Sequence, residues 1–116
     1  MNQDRDAFLF SLPDSGLQPE QVLWLHVMAQ AIIDAAAKQP DVRKEVEDWI
    51  KSEDFEVVCG MAGLNKIHIK ATIEGILNEK DHRKAFREAM KYRFLFRTYI
   101  ESYLGEIDLR GGHLVD

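Results

Sequence analysis

Between Glu20 and Lys38 the chain carries only two ionisable side chains, His26 and Asp34, although 30% of its 116 residues are charged. That stretch constrains the fold more than any other. Its apolar residues Val22, Leu25, Ala29, Ile32, Ile33 and Ala36 recur at helical spacing, and Leu23, Trp24, Val27 and Met28 widen the stripe. Pro19 suits a first helical turn, and Glu20 suits the positive helix end beside it. Pro40 is expected to end the helix. A helix this apolar over so much of its circumference predicts burial of most of its surface against other elements. His26 on such a helix reads as a hydrogen-bonded structural residue rather than a ligand.

The remaining chain reads as more helices separated by caps and glycines. Asp41 is a candidate cap for a helix over residues 42–51, with Val46, Trp49 and Ile50 as its apolar edge. Ser52 offers the next cap, with Glu53 and Asp54 in the first turn of a short helix over 55–61. Gly63 follows as a left-handed turn residue. Asn65 caps a helix running to about Glu79, with Ile67, Ala71 and either Ile73 or Leu77 facing inward. Asp81 caps a long fifth helix that Gly105 is expected to stop after Leu104. No strand-like alternation competes with these elements. The expected fold is all-α: a compact bundle of about five helices. Residues 18–104 form its single domain, 1–17 an N-terminal arm and 105–116 a flexible tail. Phe8, Leu9, Phe10 and Leu12 give that arm an apolar cluster that can dock on the core.

Composition removes several classes of function. One cysteine leaves no internal disulfide and no multi-cysteine zinc site. No apolar run approaches the roughly 20 residues of a membrane span, so no membrane partner is expected. Residues 1–6 are acidic where a secretory signal would be basic, which points to a cytoplasmic chain. The net charge of -5 opposes non-specific coating of nucleic acid. The charge is uneven, however. Residues 1–50 are net -5, residues 51–80 net -1, residues 81–104 net +3 and the last twelve net -2.

One segment suggests recognition. A helix-turn-helix needs a small residue within its first helix, a glycine in the turn and apolar residues that pin the second helix. Cys59 lies four positions before Gly63, and Val58, Ala62, Leu64 and Ile69 fill the apolar slots. Thr72 departs from the pattern, because a larger apolar residue is commoner there. Gly60 weakens the first helix by roughly 1 kcal/mol relative to alanine. The segment resembles the helix-turn-helix of phage and bacterial regulators. Residues 49–64 (Trp-Ile-Lys-Ser-Glu-Asp-Phe-Glu-Val-Val-Cys-Gly-Met-Ala-Gly-Leu) are also similar to stretches in small uncharacterised phage and prophage proteins. The second resemblance implies a mobile-element origin more firmly than an activity.

If the corner reads double-stranded DNA, Asn65, Lys66, His68 and Lys70 at the start of the second helix would face bases. Arg83, Lys84 and Arg87 would hold flanking phosphates, and a homodimer is expected. The competing structural reading is a plain corner in a helical bundle. The fifth helix interleaves cations with Phe86, Met90, Tyr92, Phe94, Phe96, Tyr99 and Tyr103. Such a helix suits single-stranded nucleic acid, a packed core edge, or a protein interface. The second functional reading is an acidic host-interaction protein that binds and modulates a basic host partner without catalysis. A third is an assembly component that oligomerises through the fifth helix. The sequence has no phosphate-binding glycine loop, HExxH or nucleophile elbow. No enzymatic role, metal or cofactor is therefore expected.

Overall fold

A computed structural model describes the backbone of residues 19–111 and the side chains of residues 19–101. The expected N-terminal arm and the end of the expected tail lie outside the described residues. Five helices follow one another: α1 (Pro19–Ala35), α2 (Pro40–Trp49), α3 (Glu53–Ala62), α4 (Lys66–Asn78) and α5 (His82–Gly111). The fold is all-α.

The apolar first helix is the hub. α1 packs against each of the other four helices, burying Leu25, Met28, Ile32 and Ala35. Val22, Trp24, Ala29 and Ile33 flank that face, half-buried. Burial stops short of the whole circumference: Leu23 is 58% exposed, and Val27 and His26 also face outward. Four neighbours cover the sides of α1 that they reach, and the outer stripe is left to solvent.

Helix ends follow local chemistry, with some shifts. α1 stops at Ala35, ahead of Pro40, and Pro40 instead opens α2 from its first turn. Gln39, rather than Asp41, takes the cap position, which leaves Asp41 inside the first turn. Arg43 reaches back from α2 and donates to the carbonyls of Ala37 (2.7 Å) and Lys38 (3.1 Å). A cation is thereby placed where the α1 dipole is negative. Ser52 occupies the α3 cap position, yet its hydroxyl donates backward to the Trp49 carbonyl at 2.6 Å.

α4 follows the expected phase only in part: Ile73 turns inward, as one alternative had it, and Leu77 is half-buried. Ile69, Ile73 and Ile76 are buried, whereas Ile67 is 71% exposed and Ala71 also faces solvent. The side of Ile69, Ile73, Ile76 and Leu77 is apolar throughout, whereas the side that starts at Ile67 and Ala71 runs on into Glu74, Gly75 and Asn78. α5 runs through Gly105 to Gly111. One glycine inside a helix costs about 1 kcal/mol, too little to end it when the flanking residues favour helix. Ala85, Ala89, Phe96 and Ile100 form the buried face of α5.

Candidate binding surfaces

The corner between α3 and α4 is built as its residues demand. Gly63 adopts φ 71°, ψ 38°, the left-handed conformation that costs an L side chain most. The Leu64 N–H donates to the Cys59 carbonyl at 2.9 Å and the Gly63 N–H to that of Gly60 at 3.3 Å, closing the end of α3. The Asn65 side-chain oxygen accepts from the N–H groups of Ile67 (3.0 Å) and His68 (3.2 Å), opening α4. Val58, Cys59, Ala62, Leu64 and Ile69 are all buried, and Thr72 is half-buried.

Cys59 is 1% exposed, and burial pushes its thiol up to about 11. Glu56 adds to the rise and Lys66 opposes it. At neutral pH the group is a protonated, poorly nucleophilic thiol that serves as a small packing residue.

The seven residues expected to meet DNA do not form one surface. Asn65, Lys66, His68 and Lys70 share the N-terminal half of α4, with Asn65 and Lys66 exposed and the other two half-buried. Lys66 Nζ lies 3.2 Å from Glu56 Oε1 of α3, so part of its charge is balanced by its neighbour. Glu53 and Asp54 add negative charge to the first turn of the same helix. Lys84 lines a groove between α4 and α5 beside Thr72, Gly75, Glu79 and Glu88. Arg83 and Arg87 belong to another face, an apolar surface of about 440 Å³ shared with His82, Phe86 and Met90. Glu74, exposed one turn beyond Lys70, further interrupts the positive potential along α4.

A shallow, more apolar depression lies elsewhere. Val27, Gln30, Ala31 and Asp34 of α1 face Glu45, Val46 and Trp49 of α2 across an open groove of about 470 Å³. Its floor is apolar and its two carboxylates stand on the α1 and α2 sides. Trp49 is fixed by an edge-to-face contact with Phe55, ring centres 5.3 Å apart and planes at 87°. Gln30 donates to Asp34 at 3.0 Å and orients that carboxylate. Sequence reasoning missed this groove because Val27 was assigned to the core with the rest of α1. The available signal was the pair Leu23 and Val27, four residues apart on a helix whose inward face was already full.

Among the described residues, no three His, Cys, Asp or Glu side chains cluster so as to hold a metal ion. None of the described helices is long and apolar enough to cross a membrane. No family model, curated protein or solved structure matches the chain.

Proposed function

We propose that the chain is a non-catalytic protein-binding module whose α1/α2 groove takes a basic amphipathic segment of a partner. The groove itself carries the reading: an apolar floor of Val27, Ala31, Val46 and Trp49 between Asp34 and Glu45. Apolar contact would supply affinity, and the two carboxylates would select Lys or Arg on the ligand and speed encounter. In the mobile-element setting that residues 49–64 resemble, the partner would be a host protein.

Titration with a synthetic amphipathic helix bearing Lys and Arg tests this, read by calorimetry. Saturable binding is expected, weakened at least tenfold by the double substitution D34R/E45R. No binding, or binding indifferent to that substitution, would remove the reading.

A second reading, recognition of double-stranded DNA through α4, is favoured by the left-handed Gly63 and the burial of all five residues that pin the corner. The broken positive surface weighs against it. Duplex binding that falls with salt and is lost in K66E/K70E, but not in D34R/E45R, would establish DNA as the ligand.

A further inference from the structure

The face of α5 that turns away from the core is the chemical complement of the α1/α2 groove. Phe86, Met90 and Phe94 stand on it at successive turns, exposed, with Phe94 at 67%. Arg83, Arg87 and Arg97 fall on the same side of the helix, and all three are exposed. His82 stacks on Phe86, ring centres 6.2 Å apart, at the start of this stripe. Large apolar side chains lined up between arginines are the anchors that protein interfaces favour.

Dimensions and charges correspond. Eight residues separate Phe86 from Phe94, and eight separate Leu23 from Ala31, so each stripe covers about 12 Å of helix. An antiparallel seating sets Phe94, Met90 and Phe86 along Leu23, Val27 and Ala31. Arg83 and Arg87 then reach the end bearing Asp34 and Glu45, and Arg97 reaches Glu20. Arg97 would exchange its present partner, Glu101 at 3.1 Å, an exposed pair that contributes little. Pairing two copies through α5 alone would instead face one arginine stripe with another.

We infer that the α5 face of one copy of this chain docks in the α1/α2 groove of a second copy. The inference rests on the groove being a protein-binding site and names its occupant. Because each copy presents both halves of the contact, two copies can pair reciprocally or the contact can extend into rings or open chains.

Light scattering across a concentration series tests it. The wild-type mass should rise with concentration near 0.1 M salt and fall back towards a monomer at 1 M salt, where screening shortens to about 3 Å. D34R/E45R has a spoiled groove and an intact α5 face; M90E/F94E has the reverse. Each should be monomeric alone with unchanged helical circular dichroism. Mixed, they should form a 1:1 complex and nothing larger, since each retains one half.

A wild-type monomer at every concentration overturns the inference. If that monomer still binds the synthetic basic helix, the groove serves a foreign partner and the proposed function stands. If it binds neither, both fall. Wild-type association that survives D34R/E45R would also overturn the inference.

Discussion

Cys59 acts through its size and its neutrality. Its buried thiol ionises near 11 against an ordinary 9.0, so the unfolded chain loses the proton first as pH rises. Its contribution is fully present below about pH 9 and is lost as pH approaches 11; the shift corresponds to about 2–3 kcal/mol. Denaturant melts should show a fall of that order across this window, absent in Cys59→Ala. Asn65 works in the opposite manner, through one oxygen that two N–H groups share. Asn65→Ala should lower stability by about 1 kcal/mol, measured by urea unfolding. Roles like these were legible from sequence because they are local. Gly63 and Asn65 need only their neighbours to define a turn and a cap. The small residue four positions earlier was visible from the same spacing. The Arg43 contact with the end of α1 was not legible, since it depends on how α2 folds back.

At the scale of the element, α4 shows where pattern reading fails. Although Ile73, Ile76 and Leu77 extend only the Ile69 side, the first turn of its sequence Lys-Ile-His-Ile-Lys-Ala-Thr-Ile-Glu-Gly-Ile-Leu places Ile67 and Ile69 on different sides and does not by itself decide between them. Burial does: Ile73→Ala should cost about 2–5 kcal/mol, whereas Ile67→Ala should change stability by less than about 0.5 kcal/mol. Paired thermal melts of the two variants would check the assigned phase. The two glycines within α3 and α4 mark a different economy. An added Cβ at Gly60 or Gly75 meets nothing within 4 Å. Gly60→Ala and Gly75→Ala should each raise stability by about 0.5–1 kcal/mol in the same assay, because alanine favours helix without a clash. If Gly60→Ala reduces binding of any ligand while stabilising the fold, the bare surface at that point is itself part of a contact.

For the whole molecule, the sequence-wide charge of -5 conceals two unlike surfaces. The acidic groove on α1 and α2 and the arginine-bearing side of α5 face outward from different parts of one body. Segment totals anticipated the reversal of sign near residue 81. They did not anticipate where it would lie, because a net charge says nothing about which helix faces its carriers turn toward. For the same reason the residues proposed for DNA, adjacent in a list, divide among three places on the surface. The overall class was legible because caps and glycines divide the chain into helices whose apolar faces need one another for cover. The groove was not, since it arises only when α1 is covered on some sides and left bare on another.

The position of α1 also governs how the molecule opens. Every other helix packs against it, so detaching any of the four removes part of its cover. Fraying of a single peripheral helix therefore exposes part of the shared core, at a cost that grows with the apolar surface it uncovers. In native-state hydrogen exchange, amides around Met28 and Ile32 should be the slowest, with an opening free energy equal to that of global unfolding. Amides of α2, a ten-residue helix that buries Val46 with Ile50 at its C-terminal cap, should exchange sooner. Exchange slowest in α5 instead would mean that the longest helix, rather than the most connected one, is the last to open.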